Sequence, residues 1–222
     1  MNKSTLDRIG KETFIISDLH LGHKNITQFE PCRLTAMRID GHDNHEDWVI
    51  ENWNEQVKED EDVFILGDFS FKSVANYISK LNGNLIFILG NHDSAPAGEK
   101  WKGAEIVRGI WIDINGYCTR IYDDFMFEDR LMSGLIKDID GERYLFCHYD
   151  IFSEDDWDRK NKKIGPRIEY FRKLYEDFNC TRLVHGHVHS LKSTQKDKSI
   201  NVCMEQERMN FRPQRFGNLI NN

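Results

Sequence analysis

Five short apolar runs punctuate the chain, and each gives way at once to polar residues. Thr13–Ser17 leads to Asp18-Leu19-His20, Val63–Leu66 to Gly67-Asp68, and Leu85–Leu89 to Gly90-Asn91-His92-Asp93. Tyr144–Cys147 leads to His148, and Arg182–Val184 to His185-Gly186-His187-Val188-His189. Unbroken apolar runs of this length predict buried strands rather than helices. Between them the period changes. His45–Lys58 carries Val49, Trp53 and Val57 four residues apart, which predicts an amphipathic helix. Val74, Tyr77, Ile78 and Leu81 predict another, with Ser73 as N-cap and Gly83 as stop. Pro166–Phe178 sets Ile168, Phe171, Leu174, Tyr175 and Phe178 along one helical face, with proline in the first turn. Strand, helix and strand over 63–89 predict a right-handed parallel crossover. Residues 104–143 alternate loosely around Asn115-Gly116, a hairpin turn signal, and read as antiparallel strands. Ser199–Met204 reads as a further strand after a polar connection at 192–198, and Arg212-Pro213 opens a short closing segment.

Length narrows this picture to one domain, residues 1–222. No apolar run nears the roughly 20 residues needed to span a bilayer. Met1–Lys11 is polar, so no secretory leader is expected. Five scattered cysteines, none in a C-x-x-C pair, fit reduced thiols and a cytoplasmic location. A net charge of −7 disfavours a broad basic face for duplex nucleic acid. It does not exclude a phosphorylated substrate, because bound divalent cations would reverse the local sign.

The polar ends carry the chemistry. Of nine histidines, five (His20, His92, His148, His187 and His189) stand at these ends. In an open α/β sheet the crevice outside the carboxyl ends of the strands collects such groups at one site. Singly, a histidine or aspartate there could simply cap a strand by bonding to backbone. Asp18, His20, Asp68, Asn91, His148, His187 and His189 together form a mixed imidazole and oxygen set without thiolate, which suits Mn, Fe, Zn or Ni. Seven ligands exceed the needs of one ion and are enough for two if a carboxylate bridges. Two ions about 3.5–4 Å apart form a clamp for in-line displacement at phosphorus.

In their order, Asp18-x-His20, Gly67-Asp68, Gly90-Asn91-His92-Asp93, His148 and Gly186-His187-x-His189 resemble the five motifs of the calcineurin-like metallophosphoesterases. The resemblance spans about residues 13 to 213. Leu21–Ile26, Glu51–Asn54, Leu81-Asn82-Gly83 and Asn210–Pro213 narrow it to the small phosphoesterases or phosphohydrolases of bacteria and their phages. It implies an α/β fold, a four-layer α/β/β/α sandwich of two mixed β-sheets flanked by helices. It further implies that Asp18, His20 and His189 hold one metal, that Asn91, His148 and His187 hold the other, and that Asp68 bridges. A metal-bound hydroxide would attack the phosphoester while His92 protonates or stabilises the leaving oxygen. The catalytic residues would thus be His92 and Asp68, with Asn91 and His92 meeting the substrate. His23, three residues after His20, reads either as a further contact to the substrate phosphate or as a packing residue.

One departure matters. Phosphoprotein phosphatases extend the second motif to Gly-Asp-x-x-Asp-Arg-Gly, whereas Phe71, Lys72 and Ser73 fill the last three positions here. The acidic partner of His92 and the phosphate-gripping arginine of that class are missing, leaving Asp93 or a backbone carbonyl to align His92. The favoured substrate is therefore a phosphodiester of a small or nucleotide-like molecule. A phosphomonoesterase, a nuclease and a catalytically silent metal-binding scaffold are the alternatives. Elsewhere, His185 reads as structural, and His42 and His45 as solvated or capping. Trp48 and Trp53 read as core. The run Arg159-Lys160, Lys162-Lys163 and Arg167 reads as a solvated face, Asp155, Asp156 and Asp158 beside it favouring that view, or else as a steering patch for phosphate.

Overall fold

The computed structural model describes residues 3–71, 74–93, 103–121, 132–189 and 197–220. In chain order the elements are α1 (Lys3–Asp7), β1 (Phe14–Ile16), α2 (Ile26–Phe29), α3 (Pro31–Ile39), α4 (His45–Gln56), β2 (Asp62–Leu66), α5 (Ala75–Ile78) and β3 (Asn84–Ile88). There follow β4 (Ala104–Ile106), β5 (Gly109–Ile114), β6 (Tyr117–Ile121), β7 (Ser133–Ile139), β8 (Glu142–Phe146), α6 (Asp156–Lys160), α7 (Gly165–Asp177), β9 (Arg182–His185), β10 (Ser199–Asn201), β11 (Gln214–Arg215) and α8 (Phe216–Ile220).

Two mixed sheets result, one ordered β11-β1-β2-β3-β4 and the other β10-β9-β8-β7-β5-β6. In the first, β1 to β4 run parallel and β11 closes the edge antiparallel. In the second, β8, β9 and β10 run parallel, while β7 pairs antiparallel with β8 and parallel with β5. The sheets pack face to face: Phe64 of β2 meets Phe146 of β8 at 5.5 Å between ring centroids, and Phe146 meets Phe216 of α8 at 5.4 Å.

Period-two alternation divides the second sheet between two cores. Leu135, Tyr144, Phe146 and Val184 join the inter-sheet core, and Ile136, Leu145, Cys147 and Leu183 face outward onto Ile164, Ile168, Phe171 and Leu174 of the α7 region. On the first sheet, α4 supplies Trp48 and Trp53, both 0% exposed. Their indole N–H groups donate to Asp40 Oδ2 at 2.8 Å and to Asn82 O at 2.9 Å, so the bulk is buried without stranding a donor. Full burial of a side chain as large as Leu or Phe contributes about 1.5–3 kcal/mol, and dozens are buried here. This is the two-sheet α/β architecture expected from the motif set.

Local expectations fared unevenly. The helix over 45–58 ends at Gln56, with Asn44 as its cap accepting from Asp47 N at 3.0 Å. The helix expected over 74–81 is only α5, and Ser73, its proposed cap, lies outside the described residues. Asn115 and Gly116 both take positive φ, 51° and 77°, and turn β5 into antiparallel β6 as predicted. The antiparallel reading fails for β4, which pairs parallel with β3 in the other sheet. It holds in part for β7, which pairs antiparallel with β8 but parallel with β5 and whose apolar pattern is broken by Gly134 and Lys137. Lys137 is tolerated there because its ammonium donates to Leu6 O at 2.6 Å and pairs with Asp113 at 2.9 Å. Part of the connection read over 192–198 lies outside the described residues. Among the described residues no helix is long and apolar enough to cross a membrane.

Candidate metal centre

The carboxyl ends of β1, β2 and β3 lie side by side because these strands are parallel in register. The ends of β8 and β9 do likewise in the second sheet, with Phe146 opposite Val184. Beyond these ends the chain is held in costly conformations. Asp18, His20, Asp68 and His187 have φ of 60°, 50°, 52° and 68°. A non-glycine residue there costs on the order of 1–3 kcal/mol and persists only where its surroundings enforce it. The enforcement is visible: Asp18 N donates to Gly67 O, His20 N to Asp68 O and Leu21 N to Phe69 O, each at 3.0 Å. Glycine is required for two reasons. Gly67 has φ 92° and a Cβ there would stand 2.7 Å from His148 Nδ1; Gly90 is needed for close approach, since a Cβ would collide with the Asp68 carboxylate.

Two groups of side chains that share Asp18 converge, Asp18 with His20 and His189, and Asp18 with Asp68 and His148; a third, Glu30 with Glu205, shares His189 with the first. His20 Nε2 and His189 Nε2 face one another at 3.0 Å, and Asp18 Oδ1 lies 3.3 Å from His189 Nε2 and 3.7 Å from His20 Nε2. Asp68 Oδ2 lies 3.5 Å from His148 Nε2 and 3.9 Å from both His20 Nε2 and His92 Nε2. Asn91 Oδ1 approaches His148 Nε2 at 3.0 Å. His187 stands apart from both groups. Its ring centroid is 5.1 Å from that of His148, but its Nε2 bonds to Asp158 Oδ1 at 3.1 Å.

The donors fit a divalent cation. Asp18 Oδ1 is fully buried and has no hydrogen-bond partner among the described residues, a costly state for a carboxylate unless a cation meets it. Burial pushes the Asp18 carboxyl upward, but His148, His189 and His20 hold it well below the usual range. Burial would lower His148 and His189, yet Asp68 and Asp18 raise the first to about 9, and Asp18 and Glu205 raise the second to about 11. The site therefore attracts positive charge strongly enough to keep protons on two imidazoles. A divalent ion competes for the same nitrogens and carboxylates.

His92 is half exposed, donates its backbone N–H to Asp68 Oδ1 at 2.8 Å, and packs its ring 4.7 Å from that of Phe71. Burial lowers its pKa, against an opposing pull from Asp68. Asp93 is not its partner, correcting one candidate: that carboxylate accepts from Asp68 N at 2.8 Å, Gly90 N at 2.8 Å and Phe69 N at 3.0 Å. Phe71, standing in the place of the expected acid, braces the imidazole by ring packing; Lys72 and Ser73 lie outside the described residues. His23 packs edge-on against Phe71 at 4.4 Å and Phe29 at 5.5 Å. His185 is buried, with Nδ1 2.8 Å from Gly186 O.

Three residues at the centre carried no sequence signal that was used. Arg33 of α3 is 0% exposed; it donates to Leu19 O at 2.9 Å, to Asp18 O, and to Glu205, whose Oε1 reaches His189 Nδ1 at 3.0 Å. Glu205 follows the segment that reads as a strand over 199–204, of which Ser199–Asn201 form β10, so the same pattern of a polar group after an apolar run points to it too. Asp158 had been read as part of a solvated run, but it is 7% exposed and bonded to His187. The basic run divides similarly: Lys160 pairs with Asp156 on the surface, whereas Arg167 is buried and donates to Tyr149 Oη at 2.8 Å. His45, expected to be solvated or capping, is 8% exposed and lies 3.3 Å from Arg33.

Fold and centre together define a metal-dependent phosphoester hydrolase. The chain belongs to the calcineurin-like phosphoesterase superfamily, whose domain matches residues 12–204. It is 25% identical over 185 residues to the Gene 66 protein of Mycobacterium phage L5, covering 80% of this chain and 77% of that one. It is 30% identical over 112 residues to the uncharacterized protein MJ1445 of Methanocaldococcus jannaschii. That match takes in 48% of this chain and spans only about half, 55%, of the archaeal protein's length. Among solved structures, the protein of unknown function AQ665 from Aquifex aeolicus superposes with a TM-score of 0.59 at 25% identity, over 90% of this chain and 93% of that one.

Proposed function

We propose that this chain is a two-metal phosphodiesterase of the cytoplasm, a single domain acting on a small or nucleotide-like phosphodiester. The observation that carries the two-metal reading is the position of Asp68, whose Oδ2 lies 3.5 Å from His148 Nε2 and 3.9 Å from His20 Nε2 and so reaches both ligand groups. Asp18, His20 and His189 would hold one ion and Asn91, His148 and His187 the other, with Asp68 between them; Mn, Fe, Zn and Ni all suit these donors. Divalent ions, when bound, neutralise charge on phosphoryl oxygens and bring the pKa of water toward ~7.

The side chains do the rest. Asn91 and His23 orient the ester, and His92, braced by Phe71, gives the leaving oxygen its proton or a hydrogen bond. Substrate class is supported by the ring ladder Phe29, His23, Phe71 and His92, with successive centroids 5.5, 4.4 and 4.7 Å apart. Its two phenylalanines are exposed, Phe29 by 66% and Phe71 by 43%, and offer apolar ring surface to a nucleobase or aryl group. Five free cysteines support the cytoplasmic assignment.

The test is a panel of phosphomonoesters, linear and cyclic phosphodiesters and single-stranded oligonucleotides, assayed with Mn and with chelator. Metal-dependent turnover strongest on diesters is expected, and abolished in Asp68→Asn. His92→Ala should lose about 10²–10⁴-fold on esters with alkyl leaving groups and much less on p-nitrophenyl esters, whose leaving oxygen needs no proton. Equal losses on both classes would remove His92 from the acid role, and no turnover with any metal would overturn the enzyme reading.

A further inference from the structure

A metal-binding imidazole is useful only if its other ring nitrogen is held, because that bond fixes tautomer and ring orientation. At this centre three histidines have such a partner. His148 Nδ1 is 2.8 Å from Leu66 O, His189 Nδ1 is 3.0 Å from Glu205 Oε1, and His187 Nε2 is 3.1 Å from Asp158 Oδ1. The last pair reverses the nitrogen used. With Nε2 committed outward, the nitrogen left for a cation at His187 is Nδ1, whereas at His148 and His189 it is Nε2.

We infer that Asp158 is the positioning residue of His187: it accepts the Nε2 proton, holds the imidazole as the Nε2–H tautomer and so presents the Nδ1 lone pair to the second cation. This rests on the two-metal reading above. Asp158 is separated from His187 by 29 positions and belongs to none of the motifs that define the superfamily here. Its neighbour Asp156 is a surface residue paired with Lys160, but Asp158 points inward and is 7% exposed. Its second oxygen lies 3.4 Å from Ser153 Oγ, and α6 is set by Asp155, which accepts from Trp157 N at 2.6 Å. His187 is pinned from the other side as well, its backbone N–H donating to Asp18 Oδ2 at 2.9 Å at φ 68°. With main chain and outer nitrogen both fixed, the ring has one orientation. The carboxylate is thus to His187 what Glu205 is to His189, supplied by a five-residue helix instead of the buried turn that follows β10.

Two readouts test this without reference to turnover. Long-range ¹H–¹⁵N spectra of the metal-free protein report the His187 tautomer, and Mn²⁺ titration followed by calorimetry and elemental analysis reports the number and affinity of bound ions. In the unmodified protein we expect the Nε2–H form at His187 and two Mn²⁺. In Asp158→Ala the tautomer should become mixed and one class of Mn²⁺ should weaken by about 10–100-fold, the other remaining unchanged; Asp158→Asn should fall between. Asp155→Ala removes the helix cap without touching His187 and controls for loosening of α6. An unchanged tautomer and unchanged Mn²⁺ binding in Asp158→Ala would overturn the inference, as would an equal loss in Asp155→Ala. Uptake of a single Mn²⁺ by the unmodified protein would defeat the two-metal reading instead, and the tautomer spectrum would still decide the role of Asp158.

Discussion

His45 starts α4 among Asn44, Glu46 and Asp47, yet it is enclosed, with Nε2 3.3 Å from the Arg33 guanidinium. Burial, reinforced by the Arg33 charge, lowers its pKa from 6.5 to about 3. The folded chain therefore holds it neutral, whereas the unfolded chain takes up a proton as pH falls through 6.5. The stability this residue contributes is present in full above pH 6.5 and is lost progressively as pH falls toward 3. Urea unfolding of the metal-free protein should show a steeper loss of stability between pH 6.5 and 4 than His45→Gln does; equal slopes would mean that His45 is not buried neutral. Arg33 makes the same point with opposite sign. A fully buried guanidinium is tolerated because Glu205 and two backbone carbonyls surround it. Nothing in the local pattern of Pro31–Ile39 announces it.

At the scale of elements, the centre is a set of loops tied to one another more than to their own strands. Asp93 shows how: one carboxylate after β3 gathers three N–H groups, two from the loop after β2 and one from Gly90. Burial and the nearby Asp68 raise its pKa to about 6, so the geometry is maintained against a desolvation cost. Asp93→Asn keeps the shape and leaves one oxygen to serve donors that now share two. Replacement should lower stability by about 1–3 kcal/mol, read as a shift in urea midpoint at constant slope. An unchanged midpoint would show that the loops are held by other means. The two aromatic elements at the mouth, α2 with Phe29 and the turn with Phe71, have no such ties through their rings, which face outward.

For the whole molecule, the proposed ligands draw on both sheets: Asp18, His20, Asp68 and Asn91 from one, His148, His187 and His189 from the other. A cation bound among them joins the two halves of the sandwich and binds only the folded form. Mn²⁺ at a hundred times its dissociation constant should stabilise by about 2.7 kcal/mol per site. For a chain of this size that raises the melting temperature by roughly 5–10 °C, reversed by chelator. A melting curve indifferent to Mn²⁺ would contradict a centre that spans the sheets. Relief of the mutual repulsion among Asp18, Asp68 and Asp93 is one source of the affinity for the cation.

The chain alone determined the five strands that carry the candidate ligands, because an apolar run followed abruptly by Asp, Asn or His records burial and metal-binding chemistry at adjacent positions. It determined the superfamily and the two-sheet architecture for the same reason, the order of those ends being specific. Tertiary structure alone decided the partners behind the ligands. Asp158 lies in a charge run, Glu205 in a turn beyond β10, and Arg33 in a short helix. Each acquires its role from a residue far away in sequence, through one hydrogen bond or ion pair that leaves no periodicity. Tertiary structure likewise decided that Phe71 packs against the His92 ring and that β4 joins the first sheet. Periodicity reports only whether a position is buried; which side chain lies on the other side of the contact is a property of the folded chain.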